Sequence, residues 1–275
     1  MLDRKNFFAL SSILLLLVAG TRTAAAGGTQ RDSTIDLHPI YGKLDGAFVA
    51  LDTRTGILYR YNPRLCARRL SPASTFKIPN SLIALETGVI PDEHSVIPWD
   101  SVHRPVEAWN HNHDLASAIA NSVVWYYQEL ARRIGATRMQ HWVDAIGYGN
   151  RDISGGIDHF WLGSTLLISP DEQIVFLNRL RTNALPFSPR TIGIVKRILI
   201  QDSTPRWTLR GKTGFASYGR ANAVGWYVGW VERSDGAVVF ANCIVTKNRD
   251  KEGGAIFDRR KPIALTILKK LGAID

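Results

Sequence analysis

The stretch Pro72-Ala73-Ser74-Thr75-Phe76-Lys77-Ile78-Pro79 sets a serine and a lysine three residues apart, and the fold turns on whether it opens a helix. Apolar residues at Phe76, Ile78, Leu82, Ile83 and Leu85 recur at helical spacing, and Gly88 supplies a C-terminal glycine, so a helix is predicted. Side chains three apart on a helix have Cβ atoms roughly 5–6 Å apart, close enough for hydroxyl and amine to meet. Pro79 must then kink the helix or confine Ser74 to its opening turn, where the serine's own N–H would point into a site and favour an oxyanion. A serine needs a neighbour to take its proton, and a lysine becomes a base only when burial or a nearby cation lowers its pKa. Taken alone the pair carries little weight: a Ser-x-x-Lys arises by chance about once in a chain of this length, and an exposed serine beside a solvated lysine is then the favoured reading.

Outward from this segment, strands occupy both ends and helices the middle. Residues 46–52 alternate, Thr53-Arg54-Thr55-Gly56 has turn chemistry and residues 57–61 resume the alternation, which predicts a hairpin. Residues 90–112 are rich in Pro, Trp and His and read as irregular. Asp114 caps one predicted helix carrying Leu115, Ala118, Ile119, Val123, Tyr126, Leu130 and Ile134 on a single face, stopped by Gly135. Residues 137–145 are a further helix, 147–163 a glycine-punctuated loop, Pro170-Asp171-Glu172 opens a helix to about Arg181, and 191–200 is helical. Strands follow at 208–215, 223–232 and 237–247, with Ser234-Asp235-Gly236 as a hairpin turn, and Pro262 sits in the first turn of a closing helix, 263–271. The order predicts an α+β fold: an antiparallel sheet built from N- and C-terminal segments, about 27–70 and 190–275, flanked by helices, with a mostly helical region, about 71–189, inserted. Ser74 lies where the two regions meet, a common place for a cleft.

The 275 residues, 45% hydrophobic and 21% charged, describe a globular chain with room for a sizeable core. Arg4 and Lys5 precede an apolar run, 7–20, and Ala24-Ala25-Ala26 ends it with the small residues of a cleavage site, so residues 1–26 read as a signal peptide. The alternative is an uncleaved anchor, but Ser11 and Ser12 interrupt a run already short for a span. We therefore expect export to the periplasm, a mature domain of 27–275 and no stable membrane anchor. Cleavage removes Arg4, Lys5, Arg22 and Asp3, taking the net charge from +10 to +8. The basic residues are scattered, with only doublets such as Arg132-Arg133 and Lys269-Lys270, so a solvated surface is preferred and nucleic acid is not expected as a partner. Two cysteines, Cys66 and Cys243, make no disulfide framework; a bond between them and two small buried thiols both stand open.

Three further motifs follow the serine and lysine in order: Ser122-Val123-Val124, Tyr148-Gly149-Asn150 and Lys212-Thr213-Gly214. A Lys-Thr-Gly at random has a chance of only a few per cent in such a chain, so the set outweighs coincidence. With Ser154-Gly155-Gly156-Ile157-Asp158, Phe160-Trp161-Leu162, Phe215 and residues 226–232, these motifs resemble the serine penicillin-recognising enzymes and, among them, the class D β-lactamases (oxacillinases), over about residues 46–274. Class A enzymes carry Ser-Asp-Asn where this chain has Ser-Val-Val, which points to class D.

The resemblance implies a hydrolase of the β-lactam amide that confers antibiotic resistance. Ser74 would attack the carbonyl, with the backbone N–H groups of Ser74 and Phe215 holding the oxyanion. Class A enzymes deacylate with a glutamate, and the loop 147–163 has none. Class D enzymes instead carboxylate the lysine with CO2, which needs an uncharged amine; Phe76, Val123 and Trp161 are expected to dry the Lys77 pocket, and the Trp161 indole to hold the new anion. Ser122 is the implied proton shuttle, Lys212 lends positive potential, and Thr213 and Arg260 bind the substrate carboxylate, Arg260 being chosen over Arg259 by spacing alone. Val123 and Tyr148 are also expected at the substrate, Tyr148 alternatively as a turn residue shaping the cleft wall. No cofactor beyond the CO2-derived group is expected, and the assembly is a monomer or homodimer. Zinc β-lactamases need His-x-His-x-Asp, but after His111-Asn112-His113 the position required for Asp holds Leu115, so no metal is expected. The rival readings are a penicillin-sensing receptor domain, which acylates and stops, and a transpeptidase. The connection 216–224 edges the cleft and tunes selectivity.

Overall fold

In the computed structural model, which describes residues 31–163, 165–218 and 222–275, one sheet organises the chain. The signal segment 1–26 and residues 219–221 of the connection 216–224 lie outside the described residues. The strands are β1 (Arg31–Thr34), β2 (Asp45–Asp52), β3 (Ile57–Tyr61), β4 (Ile200–Ser203), β5 (Trp207–Tyr218), β6 (Asn222–Arg233) and β7 (Gly236–Thr246). Their order across the sheet is β1-β3-β2-β7-β6-β5-β4. The β2–β3 hairpin joins the C-terminal meander by pairing β2 with β7, Ala47 opposite Cys243, so the two chain ends complete one sheet as predicted. Two edges differ from expectation. Strand β1 runs parallel to β3, which makes an otherwise antiparallel sheet mixed, and Ile200, predicted to end a helix, begins β4.

The helices are α1 (His38–Tyr41), α2 (Pro63–Cys66), α3 (Lys77–Glu86), α4 (Leu115–Ala120), α5 (Val124–Ile134), α6 (Ala136–Ile146), α7 (Pro170–Arg181), α8 (Pro189–Ile198) and α9 (Arg249–Lys270). Period-2 alternation lets the strands serve two cores. Trp226, Val228 and Trp230 of β6 face the core shared with the inserted helices, while Tyr227 and Val231 face the one shared with α9. The closing helix is far longer than predicted and holds Pro262 in its interior. Gly253 and Gly254 weaken its local signal, but Ile256, Ile263, Ile267 and Leu268 are buried against the sheet, and that packing outweighs both glycines and proline. Cys66 and Cys243 are free and buried. Among the described residues no helix is long and apolar enough to cross a membrane.

Candidate active site

Ala73–Phe76 form a 3-10 turn that runs straight into α3, so Ser74 sits in the opening turn and Pro79 near the start of the α-helix, where a missing N–H is tolerated. Ala73 is held at φ +50°, a left-handed conformation rare outside glycine. The Thr75 hydroxyl donates to Pro72 O at 2.7 Å and accepts from Gln173 Nε2 at 3.0 Å, which fixes the turn from behind. Lys77 Nζ donates to Ser74 Oγ at 2.8 Å. The lysine is wholly buried, its amine 5.3 Å from the centre of the Tyr127 ring. Burial first, and the Lys212 charge second, push its pKa well below the ordinary lysine value, so the amine is disposed to be neutral.

The second wall comes from a break in what the sequence presents as one helix. Asp114 and Ser117 form a capping box that starts α4, the chain reverses at Ser122 with φ +55°, and α5 begins after Val123. Leu115, Ala118 and Ile119 are buried in one helix and Tyr126, Leu130 and Ile134 in the other, so in the sequence the apolar spacing runs through the break without a trace. The reversal lets Ser122 Oγ accept from Lys212 Nζ at 3.0 Å. Lys212 also donates to Thr213 O at 2.9 Å. Burial, then the charges of Arg260 and Lys261, lower its pKa to about 7. Strand β5 can run this close because residue 214 is glycine: a Cβ there would lie 3.1 Å from Pro72 O and 3.2 Å from Thr75 Cγ2.

A cleft of about 350 Å³ opens between these walls, lined by Ser74, Ser122, Thr213, Phe215 and Arg260 among others. Arg260 lies in the interior of α9 rather than ahead of a closing helix, and it is 9% exposed while Arg259 faces outward. Its guanidinium stands 3.8 Å from the centre of the Phe257 ring, and burial lowers its pKa to about 10. Val106, Trp109, Leu162 and Phe257 add to the apolar walls, roles that the sequence does not assign; the Pro/Trp-rich stretch 90–112 holds the first two and the Phe160-Trp161-Leu162 motif the third.

Two predicted residues stand elsewhere. Val123 is fully buried, which suits a dry lining but not a substrate contact, and it is Val124 that reaches the cleft. Tyr148 is in the core behind the nucleophile, its ring edge-on to Phe76 and its hydroxyl 3.3 Å from Gln173 Nε2, so it props the serine turn instead of meeting substrate. Asn150 straps the same loop through Thr165 O and Leu167 N–H at 2.8 and 2.9 Å. Trp161 stacks on Phe76 with ring centres 5.5 Å apart, and its indole N–H is buried without a partner among the described residues. His113 is structural: its ring nitrogens meet Ala108 O at 2.9 Å and Ser117 Oγ at 3.1 Å.

Known proteins share the sequence and fold of this chain over most of its length. The profile of the penicillin binding protein transpeptidase domain covers residues 32–269. The chain is 43% identical over 242 residues to the probable β-lactamase YbxI of Bacillus subtilis, covering 88% of this chain and 86% of that protein. It is 40% identical over 233 residues to β-lactamase OXA-48 of Klebsiella pneumoniae, covering 85% and 88%. Among solved structures, a class D β-lactamase from Sebaldella termitidis superposes with a TM-score of 0.85 at 34% identity, over 90% of this chain and all of that one, 100%. A class D enzyme from Bacillus subtilis gives 0.80 at 40% identity, over 88% and 97%. With the serine turn, the buried lysine and the Lys-Thr-Gly strand assembled on this fold, the chain belongs to the class D β-lactamases.

Proposed function

We propose that the cleft hydrolyses the β-lactam amide of penicillin-type antibiotics through an acyl-enzyme on Ser74, with Lys77 carboxylated by CO2 as the general base, in an exported, periplasmic protein that confers resistance. The carrying observation is the fully buried Lys77 amine, 2.8 Å from Ser74 Oγ and disposed to be neutral, in a core that also holds a Trp161 indole N–H with no partner among the described residues. Only an uncharged amine adds to CO2, and a buried donor without an acceptor is costly enough to suggest that an acceptor belongs there. Residues present fit such a group: Lys77 would carry it and Trp161 would donate to it. The carbamate supplies an anionic base in a site with no glutamate in the adjoining loop 147–163.

Ser74 attacks the lactam carbonyl, whose oxygen is received by the Ser74 and Phe215 backbone N–H groups. Ser122 passes a proton to the leaving nitrogen, held in place by Lys212. Thr213 and Arg260, both on the cleft, take the substrate carboxylate, and Lys212 adds positive potential while protonated. Trp161 keeps the base in place for the second step, in which water frees Ser74.

Steady-state hydrolysis of a chromogenic cephalosporin tests the whole reading: sustained turnover is expected, and one burst per enzyme followed by arrest would make this a penicillin sensor. Degassing to remove CO2 should lower activity and bicarbonate restore it; indifference to both removes the carbamate. Export is supported by Arg4, Lys5 and the apolar run that they precede, and N-terminal sequencing of the secreted protein should begin near residue 27.

A further inference from the structure

Ser71, three residues before the nucleophile, is 2% exposed and is bonded on several sides. Its hydroxyl donates to Trp161 O at 3.1 Å and accepts from Gly163 N–H at 2.9 Å, with Ala73 N–H approaching at 3.4 Å. Its carbonyl accepts from the Trp226 indole at 2.8 Å. Beside it, Leu70 and Ile168 exchange backbone hydrogen bonds of 2.9 and 2.8 Å. One hydroxyl thus fastens the loop carrying Trp161 to the segment that carries Ser74 and Lys77.

Gly163 is also packed closely against β5. Its φ is +87°, and a Cβ there would lie 2.3 Å from Ser217 O on β5. The Trp161 ring is held from its other side by Phe76. The indole is therefore clamped through its own backbone by Ser71 and through its ring by the neighbour of Lys77. Without the hydroxyl, Trp161 O and Gly163 N–H lose these partners, and the loop must move to find others.

We infer that Ser71 is a positioning residue for deacylation: its hydroxyl holds the Trp161 backbone so that the indole N–H is available to a carboxyl group on Lys77, and its loss loosens the lysine's modified state while leaving the nucleophile in place. The inference rests on the carboxylated-lysine reading above. Titration with 13C-bicarbonate, followed by 13C NMR of the carbamate carbon, reads it directly. Ser71→Ala should need about 10-fold more bicarbonate than the parent for half occupancy, a size usual for groups that orient a ligand. Ser71→Thr, which keeps the hydroxyl, should stay near the parent. Rapid-quench mass spectrometry at low bicarbonate should show acyl-enzyme accumulating in Ser71→Ala, with deacylation slowed by about 100-fold and acylation spared.

Unchanged bicarbonate half-saturation in Ser71→Ala overturns the inference, and so does equal loss of both chemical steps. If Ser71→Ala is not recovered folded, Ser71→Cys carries the same comparison with a weaker donor. A parent enzyme showing no carbamate signal at any bicarbonate concentration would remove the Lys77 reading and this inference with it, and it is recognised before any variant is made.

Discussion

Two serine–lysine hydrogen bonds serve one cleft, and they differ in how they are built. Ser74 and Lys77, 2.8 Å apart, belong to one 3-10 turn and the helix it opens; Ser122 and Lys212, 3.0 Å apart, come from a helix break and a strand 90 residues further along the chain. Both amines are buried, and burial is the main reason that both are easier to deprotonate than an ordinary lysine. The outcomes diverge. Lys77 is pushed well below its usual range, helped by the charge of Lys212, whereas Lys212 comes only to about 7. The same pair of residue types therefore gives an amine that burial drives strongly towards deprotonation on one wall and, near neutrality, a partly charged one on the other.

Removing the two hydroxyls should break that contrast most sharply. Ser74→Ala is expected to lower turnover by about 10⁴–10⁶-fold, as loss of a covalent nucleophile does. Ser122→Ala should cost only about 10²–10⁴-fold, the range of proton transfer. Steady-state hydrolysis measures both, and equal losses would erase the division of labour between the walls.

Trp161→Phe comes next, since it keeps the stacking on Phe76 and deletes only the indole donor. Deacylation should slow by about 10–100-fold with acylation intact, read by acyl-enzyme mass in quenched samples; equal loss of both steps contradicts the role.

The lysines then separate by pH. Below about 7 Lys212 is charged and draws the substrate carboxylate, and above it the charge is lost, so kcat/KM should decline as pH rises through about 7. Lys212→Met should flatten this limb, and an unmoved limb would assign it to another group. The sign for stability is opposite. Between about 7 and 10.5 the unfolded chain binds a proton that folded Lys212 has released, so this residue makes the fold more stable as pH climbs through that window. Thermal denaturation across the window checks the direction.

The smallest effect concerns the cation on the second wall. Phe257→Ala removes the ring lying 3.8 Å from the Arg260 guanidinium and should raise KM by about 2–5-fold with kcat nearly unchanged, the scale of an exposed cation–π contact. A drop in kcat of the same size would show that Phe257 does more than seat the arginine.

The first wall was legible in the sequence because its partners are neighbours: spacing, Pro79 and the apolar period together fix a turn opening a helix. So were the hairpin 57–61 with 46–52, the capping residue Asp114, the helix opened at Pro170, and the meander of the last three strands, all set by local turn and capping chemistry. The break at Ser122 was hidden because apolar residues keep helical spacing across it, and strands β1 and β4 because four mostly polar, mostly exposed residues at a sheet edge carry little apolar signal. The length of α9 was masked by Gly253, Gly254 and Pro262, whose poor local propensity is overridden only once the helix lies on the sheet.

The sequence by itself determined the motifs, their order and the family that they resemble, since motif identity and helical spacing are properties of the chain. Tertiary structure decided which of them meet: it brought Lys212 to Ser122, turned Arg260 rather than Arg259 into the cleft, withdrew Tyr148 and Val123 into the core and tied Trp161 to Ser71. The reason is physical. Spacing constrains side chains within a few residues, but the pKa of a buried lysine and the partner of a serine 90 residues away depend on desolvation and close packing, which exist only when sheet and helices have closed around them.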